Sequence, residues 1–339
     1  MLAYIGRRLL LSVVVMFGLS VITFFIARVV PADPAARFAG PRATPQEIAQ
    51  ARIELGLDKP LWVQYAKYMA GLVHGDLGVS IDTHHAVSQD VLNALPASLE
   101  LMVCSLVIAL ALGIPIGVWG AMRPGGLADG LGRLFAVAGV SFPSFWLGFL
   151  LQLLFVGVLH LLPVAGRVSD LTQALNPIQS ITGFYLVDSA LQGNWSAFSD
   201  AAAHLILPAL TLAAYPFGLV VRMVRAVMLD VLSQDHVRVL RSLGMPSRTI
   251  AFRYALINAM PATLTVIALS MAYALTGTFL IESVFSWPGL GNYTANALVT
   301  NDYPAIMGIT LLTGMAYVFL NLVVDVCISL LDPRVRWTG

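Results

Sequence analysis

Six apolar runs, each long enough to cross a lipid bilayer as a helix, constrain the fold of this chain more than any other feature. A membrane-spanning helix needs about 20 predominantly apolar residues. The runs are Leu9–Val30, Leu99–Met122, Leu134–Leu161, Leu205–Val227, Ala255–Ile281 and Ala305–Leu331. They lack the alternation of barrel strands, and only helices and closed barrels satisfy every backbone polar group in hydrocarbon. Only 11% of the residues are charged, against about a quarter in soluble domains. The sequence therefore predicts an all-α membrane protein with six transmembrane helices.

The distribution of basic residues predicts how these spans are oriented. Six spans place both termini on the same side of the membrane. If that side is the cytoplasm, most arginines fall in cytoplasmic segments, whereas most acidic residues fall outside. Lys and Arg near the ends of spans set the orientation of membrane proteins. Both the N-terminus and the C-terminus are therefore predicted to be cytoplasmic.

The first outside segment, residues 31–97, is too long for a simple connection and is predicted to be a helical insertion. Within it, Thr44 followed three residues later by Glu47 has the pattern of a capping box at a helix start. A second helix is predicted over Leu61–Leu72, where several aromatic residues suit the lipid interface. The insertion is interpreted as an amphipathic layer on the membrane.

Two further outside loops differ in their turn signals. The loop Pro163–His204 shows no clear periodicity and is predicted to be irregular. The loop Glu282–Pro304 contains Trp287-Pro288-Gly289-Leu290-Gly291. Two glycines and a proline beside a tryptophan favour a tight interfacial or re-entrant turn. An interface anchor that binds no ligand explains this loop equally well.

The segment Asp235–Pro261 is a polar and basic island between the fourth and fifth spans. Val237, Leu240 and Leu243 recur at three-residue spacing, which predicts a short amphipathic helix. Gly244 is suited to a left-handed helix cap, and Pro246 follows it. The helix is therefore predicted to stop at Gly244, and a second helix leads from this corner into the fifth span.

Sequence motifs for catalysis or metal binding are absent from the chain. A P-loop ATPase needs the pattern GxxxxGK[ST], but the two lysines, Lys59 and Lys67, do not follow a glycine. There is also no HExxH zinc motif and no GxSxG nucleophile elbow. The sequence predicts that the chain is not an enzyme and holds no metal or cofactor.

Polar residues in and beside the fifth span suggest where a substrate could pass. Ser270, Tyr273 and Thr276 of the fifth span, with Glu282 directly after its end, are candidates for a substrate pathway. Ser and Thr also commonly join membrane helices by hydrogen bonds, which gives a purely structural alternative.

In the last span, Asn321 and Asp325 lie one helical turn apart, and Asp325 lies near the predicted cytoplasmic end. A structural hydrogen-bonded pair is favoured there over a proton relay, although an ionisable residue in a span is a functional candidate by default.

The residues of the basic corner leave two interpretations open. The helix could lie on anionic lipid, or it could dock into a groove of a cytoplasmic protein and transmit movement to the spans. Binding to DNA is disfavoured because the segment is tethered between two spans.

The corner resembles the EAA loop of ABC-importer permeases, with Gly244 at the glycine of that pattern. Arg238-Val239-Leu240 stand at the Glu-Ala-Ala positions, a departure that is typical of the dipeptide, oligopeptide and nickel branch. Further stretches that resemble this branch occur in the expected order from about Arg7 to Arg336. They include Leu55-Gly56-Leu57-Asp58-Lys59-Pro60-Leu61, Gly75-Asp76-Leu77-Gly78, Leu95-Pro96-Ala97-Ser98-Leu99-Glu100-Leu101, Ser141-Phe142-Pro143-Ser144-Phe145-Trp146, Glu282-Ser283-Val284-Phe285, Trp287-Pro288-Gly289-Leu290-Gly291, Asp302-Tyr303-Pro304 and Leu331-Asp332-Pro333-Arg334. The chain is most similar to the "B"-type dipeptide permeases of this family.

This resemblance implies a type I importer permease, multi-pass in the bacterial inner membrane, that forms half of a translocation pore. The implied partners are a second homologous permease, two ABC ATPase subunits that use ATP and Mg²⁺, an extracytoplasmic binding protein that meets residues 31–97, and membrane lipid, but no nucleic acid. Residues 235–254 would be the cytoplasmic coupling-helix loop. The implied coupling residues are Asp235, Arg238, Leu240, Arg241 and Gly244.

The resemblance does not select one cargo, because family members handle dipeptides, longer peptides, nickel chelates and glutathione. Specificity in the family lies largely in the binding protein. From the residues alone, an ion-coupled secondary transporter or channel is the alternative function.

Overall fold

The structure is a computed structural model that describes the backbone of residues 2–29, 34–40 and 42–331. These residues form helices joined by turns. The helices are α1 (Leu2–Val29), α2 (Pro34–Ala39), α3 (Pro45–Glu54), α4 (Leu61–Val73), α5 (Val87–Met122), α6 (Leu127–Ser141), α7 (Ser144–Gln152), α8 (Asp170–Leu175), α9 (Tyr185–Leu191), α10 (Trp195–Ser233), α11 (Asp235–Ser242), α12 (Ser247–Thr249), α13 (Leu256–Val284), α14 (Leu290–Thr300) and α15 (Tyr303–Leu331). Two π-helical segments, Leu153–Val158 and Ile250–Ala255, continue α7 and lead into α13.

Long apolar helices overlap three of the six predicted spans. Within the described residues, the segments Val87–Met122, Trp195–Ser233 and Tyr303–Val323 are long and apolar enough to cross a membrane. A bent pair of helices adds a fourth candidate, and α1 has a shorter apolar stretch, Leu10–Ile26. Both α5 and α10 begin well before the predicted starts at Leu99 and Leu205, because polar turns extend them beyond the apolar runs.

The third predicted span is not one continuous helix, which corrects the interpretation of Leu134–Leu161 as a single run. Its two parts, Asp129–Ser141 and Ser144–Val158, are bent by 110°. The break falls at Phe142, whose backbone is extended (φ −82°, ψ 137°) immediately before Pro143. A residue that precedes proline avoids the helical conformation, because the proline ring clashes with its backbone and Cβ.

One compact unit contains Met1–Leu95 and Asn292–Val318. Helix α3 begins with the predicted capping box, in which the Thr44 side chain accepts from the Glu47 N–H and the Glu47 carboxylate accepts from the Thr44 N–H. Helix α4 contacts α1 through aromatic side chains, since the ring of Phe24 contacts the rings of Tyr65 and Tyr68. The buried side chains of Tyr303 and Met307 complete this cluster.

The other unit, which contains Pro96–Gly291 and Phe319–Gly339, is organised around α10. This helix packs against α13, α6 and α7. Glycines allow the closest approaches, because a Cβ on Gly218 would lie 2.5 Å from the Ala136 carbonyl oxygen. On α6, a Cβ on Gly139 would overlap the Ala214 carbonyl oxygen. Small residues at such contacts let the backbones of membrane helices approach closely, and this packing holds the helices together where no hydrophobic driving force acts between them.

The loop Pro163–His204 is more ordered than the sequence predicted. It contains α8 and α9, and α10 begins within it at Trp195. The Asp188 carboxylate organises the turn before α9 by accepting from the backbone N–H groups of Ile181, Thr182 and Gly183. Burial opposes the charge of Asp188, but these hydrogen bonds and that from the Thr182 hydroxyl outweigh it and hold its pKa below the usual value. Irregular structure was therefore the wrong prediction for this loop.

A buried ion pair ties the same loop to α5. Arg167 donates to the carboxylate of Glu100 and to the Gly183 carbonyl oxygen, and its guanidinium lies 3.6 Å from the Tyr185 ring centroid. Glu100 also accepts from the Leu186 N–H at 2.8 Å. Buried charges are tolerated when they are paired and hydrogen-bonded in this way.

Candidate functional site

The corner between α10 and α13 is built around the short helix α11. The chain leaves α10 through Gln234, which is extended (φ −73°, ψ 154°), and α11 begins directly at Asp235. Val237 is fully buried and anchors α11 against the rest of the corner. The predicted helix is therefore present, and it has one buried anchor.

The opposite face of α11 is exposed and carries an apolar pair. Val239 is 56% exposed and Leu243 is 72% exposed. They are four residues apart and thus neighbours on one face of a helix. Leu243 was predicted to share the packed face with Val237 and Leu240, and this prediction is wrong: Leu240 is half-buried, but Leu243 points outward.

Charged side chains flank this apolar pair. Arg238 and Arg241 are both exposed, and Arg238 is 3.1 Å from the Asp235 carboxylate. An exposed pair of this kind contributes little to stability. These charges are therefore available for contacts with another molecule at little cost to the fold.

Gly244 ends the helix as predicted. Its φ of 75° is left-handed, a conformation that glycine adopts without a Cβ penalty. The Gly244 N–H donates to the Arg241 carbonyl oxygen at 3.0 Å, and the Met245 N–H donates to the Leu240 carbonyl oxygen at 3.2 Å. This is the Schellman arrangement of a helix C-terminus. It fixes the direction in which the chain leaves α11.

The corner is joined firmly to the long helices. Ile250, Ala251 and Ala255 of the π-helical segment are buried, and the two alanines belong to a hydrophobic cluster with Val224 and Met228 of α10. Since interiors are close-packed, a displacement of α11 is transmitted to its neighbours. The arrangement can therefore couple a movement of α11 to α10 and α13.

A second connection near the start of α6 was not found by sequence reasoning. Asp129 is buried and accepts from both the Nε and an Nη of Arg225 on α10. It also accepts from the Gly125 N–H at 2.9 Å. Ninety-six residues separate the partners, so no local pattern reveals the pair. It fixes the α5–α6 turn to α10.

The break between α6 and α7 forms a cavity of about 350 Å³. Its lining includes Ser141, Pro143 and Ser144 from the break, with Thr211 and Tyr215 from α10. Broken helices at membrane depth are tolerated where they are buried in protein or line a water-filled cavity. The cavity is thus a candidate part of a polar pathway. Pro143 in the third apolar run is the sequence signal for the break that forms it.

Glu282 lies in a buried turn at the end of α13. It is fully buried and accepts from the Ser98 hydroxyl at 2.6 Å, and Ser98 Oγ in turn accepts from the Leu290 N–H at 2.8 Å. A Cβ on Gly289 would overlap both the Glu282 carboxylate and Ser98 Oγ, which explains why a glycine stands there. These contacts give Glu282 a role in holding the turn.

Trp287 of the same turn is buried rather than placed at an interface. Its Nε1–H donates to the Ala97 carbonyl oxygen at 2.9 Å. The interpretation of this tryptophan as an interface anchor is therefore wrong. The turn itself is tight, as predicted, and Ser286 adopts a left-handed conformation (φ 47°) within it.

The other predicted positions are only partly described. Ser270 is buried, and its hydroxyl has no hydrogen-bond partner among the described residues. The side chains of Tyr273, Thr276 and Asp325 lie outside the described set. Asn321 is half-buried. The pathway roles and the Asn321–Asp325 pair stay predictions.

Within the part of the chain whose side chains are described, no three His, Cys, Asp or Glu residues are grouped as they would be around a metal ion.

Comparison with known proteins gives full-length matches. Residues 113–337 match the family described as "Binding-protein-dependent transport system inner membrane component", and residues 1–102 match its N-terminal membrane component. The chain is 43% identical to the probable D,D-dipeptide transport system permease protein DdpB of Escherichia coli K12, over 96% of this chain and 95% of that protein. It is 41% identical to the dipeptide transport system permease protein DppB of the same strain, over 99% of both chains. It is 33% identical to the glutathione transport system permease protein GsiC of Salmonella paratyphi A, over 99% of this chain and 100% of that protein.

Proposed function

Since this chain belongs to the family of binding-protein-dependent transport system inner membrane components, we propose that it forms half of the pore of an ATP-driven importer for dipeptides and other short peptides. The other half is a second, homologous permease subunit. Two cytoplasmic ABC ATPase subunits use ATP and Mg²⁺, and an extracytoplasmic binding protein delivers the peptide. The relatives named for dipeptide transport, at 41–43% identity, support this cargo over glutathione.

The observation that carries this proposal is the exposed apolar face of α11. Val239 on α11 and Leu243 at its C-cap are neighbours on one face of a short helical segment, which is fixed by the buried Val237 and by the left-handed Gly244. Exposed apolar side chains flanked by arginines fit the groove of a protein partner, in the manner of an amphipathic helix. Asp235, Arg238, Leu240 and Arg241 are the proposed coupling residues beside this pair.

The proposed topology has six spans with both termini in the cytoplasm. It rests on the described apolar helices, on α1 and α13 as the first and fifth spans, and on the concentration of arginines in the segments assigned to the inside. Residues 31–97 then form the extracytoplasmic insertion, and residues 235–254 form the cytoplasmic coupling loop.

The proposed mechanism follows from how α11 is joined to the spans. When the ATPase subunits close, a groove that holds α11 displaces it. The cluster around Ala251, Val224 and Met228 transmits this displacement to α10 and α13. Since α10 also packs on α6 and α7, the cavity at the Phe142–Pro143 break changes shape. We place this cavity, together with Ser270, on the peptide pathway.

Charge reversal on α11 tests this function. We expect the double variant Arg238→Glu, Arg241→Glu, reconstituted with its partner subunits in vesicles, to hydrolyse ATP while peptide uptake falls by at least about tenfold. This magnitude corresponds to the loss of one charge-assisted contact of about 1.5–3 kcal/mol. Gly244→Pro should have the same effect, because proline cannot adopt a φ of 75°.

The matched control is Arg248→Glu, an exposed arginine of the same loop that lies on α12, outside α11. It should leave uptake near the level of the unchanged chain. Normal uptake by both α11 variants would remove this helix from the mechanism.

A further inference from the structure

A second cavity lies in the unit formed by Met1–Leu95 and Asn292–Val318. It is a groove of about 540 Å³ between α3, α4, the turn that follows α4 and the start of α15. Most of its lining is apolar, and examples are Phe38, Leu77 and Met307. We call it the α3–α4 groove. Its size suits part of a small amphiphilic molecule.

Charged residues of both signs stand at this groove. Lys59 and Lys67, the two lysines of the chain, both line it, and so do Glu54 and Asp76. All four are exposed, and among the described residues neither lysine is within ion-pair distance of a carboxylate. Two positive and two negative groups that do not neutralise one another are complementary to a ligand that itself carries both charges.

The wall of the groove contains a polar atom without a partner. The Gln64 side chain donates through Nε2 to the Lys59 carbonyl oxygen at 2.7 Å, but its buried Oε1 accepts no hydrogen bond among the described residues. A buried acceptor of this kind normally has a partner, and here it lines a groove that could supply one. On the same wall, burial raises the pKa of Tyr68 to about 12, although the Thr23 side chain lowers it, so the hydroxyl stays protonated.

The position of the groove points to the membrane surface. Tyr65 and Tyr68 of α4 contact Ser20 and Phe24, which lie near the end of the apolar stretch Leu10–Ile26 of α1. Tyrosine is enriched where membrane helices leave the hydrocarbon, at the depth of lipid headgroups. The groove therefore lies beside the level at which phosphate and ammonium groups of lipids are found.

We infer that the α3–α4 groove binds a zwitterionic phospholipid of the phosphatidylethanolamine class. The lipid phosphate lies between Lys59 and Lys67, and the ammonium is held by Glu54, Asp76 and Gln64 Oε1. The apolar lining covers the upper part of an acyl chain. An anionic lipid with a single phosphate satisfies the lysines but carries no cation for the two carboxylates, so the balance of charge selects the zwitterion.

Lipid titration followed by native mass spectrometry tests this site. The full-length chain is purified in detergent and titrated separately with phosphatidylethanolamine and phosphatidylglycerol. We expect one tightly retained phosphatidylethanolamine, with phosphatidylglycerol weaker. The double variant Lys59→Gln, Lys67→Gln should bind phosphatidylethanolamine about tenfold more weakly, because it removes the charged partners of the phosphate.

Two further variants separate a specific site from general lipid adhesion. Glu54→Gln together with Asp76→Asn should reduce the preference for phosphatidylethanolamine over phosphatidylglycerol. The matched control is Arg42→Gln, an exposed cation of the same segment that does not line the groove, and it should leave both titrations unchanged. Each variant is checked for an unchanged elution profile. Gln64→Leu provides a second test, because it should weaken phosphatidylethanolamine binding without altering any charge.

Three results would overturn the inference. The first is that the two lipids are retained equally and that neither the double lysine variant nor Gln64→Leu changes this retention. The second is binding of soluble glycerophosphoethanolamine as tight as that of the whole lipid, which would make the ligand a free phosphate ester. The third is displacement of the retained lipid by a zwitterionic dipeptide at micromolar concentration, which would make the groove a peptide site. The site does not depend on ATPase coupling, so its failure leaves the proposed transport function unaffected.

Discussion

Replacing Val239 and Leu243 together with serine should abolish peptide uptake while the chain stays folded in the membrane. Both side chains are mostly exposed in the isolated subunit, so their loss removes little internal packing. If they are buried in a partner groove, each contributes about 1.5–3 kcal/mol to the association. Loss of both should weaken binding of the ATPase by about a hundredfold or more. The measurement is peptide uptake into vesicles, together with the amount of ATPase retained on the purified permease.

The control for this prediction is Leu127→Ser. Leu127 is 88% exposed at the start of α6, so it is a comparable apolar side chain outside α11. Its replacement should leave both uptake and ATPase retention near normal. If the Val239, Leu243 double variant transports at the unchanged rate, α11 does not dock through this face.

Adding a single methyl group at Gly139 should prevent stable folding of the chain. An alanine Cβ at Gly139 would overlap the Ala214 carbonyl oxygen of α10. That atom belongs to the backbone of a central helix and cannot move aside as a flexible side chain would. Overpacking typically costs about 1–3 kcal/mol, and we expect the upper end here. Gly218→Ala should act in the same way, because its Cβ would lie 2.5 Å from the Ala136 carbonyl oxygen.

Gly130→Ala is the matched control on the same helix. Gly130 lies nine residues before Gly139 on α6, and a Cβ there meets no atom within 4 Å. The three variants are compared by the yield of monodisperse protein after detergent extraction and by the thermal midpoint of aggregation. Equal yield and midpoint for Gly139→Ala and Gly130→Ala would contradict the close contact between α6 and α10.

Much of the fold follows from local sequence signals. Apolar runs predict the long helices, the capping box at Thr44 predicts α3, and Gly244 predicts the end of α11. Each of these features depends on residues within a few positions of one another. The bend also has a local signal, because the residue before Pro143 avoids the helical conformation. The prediction of one continuous span gave more weight to the length of the apolar run.

Leu243 was placed on the packed face of α11 because only its three-residue spacing was considered. Positions three apart shift by about 60° around a helix, so Val237 and Leu243 lie about 120° apart rather than on one stripe. Val239 and Leu243, four apart, are only about 40° from each other. The exposed pair could have been found by applying the four-residue spacing to a helix of only eight residues.

Long-range pairs could not be predicted from the sequence. Asp129 and Arg225 are 96 residues apart, Glu100 and Arg167 are 67 apart, and Ser98 and Glu282 are 184 apart. Each partner alone is an ordinary charged or polar residue near the end of an apolar run. Their pairing depends on how the helices pack, which local periodicity does not encode.

Co-purification shows whether this chain works with ABC ATPase subunits that dock on α11. The tagged chain is expressed with the genes that neighbour it and isolated in mild detergent, alongside the Val239, Leu243 double serine variant. We expect the unchanged chain to retain a second permease and ABC ATPase subunits, and the variant to lose the ATPases. An unchanged chain that recruits no ATPase, yet transports peptide on an ion gradient alone and loses this transport with Asp325→Asn, would instead be an ion-coupled transporter.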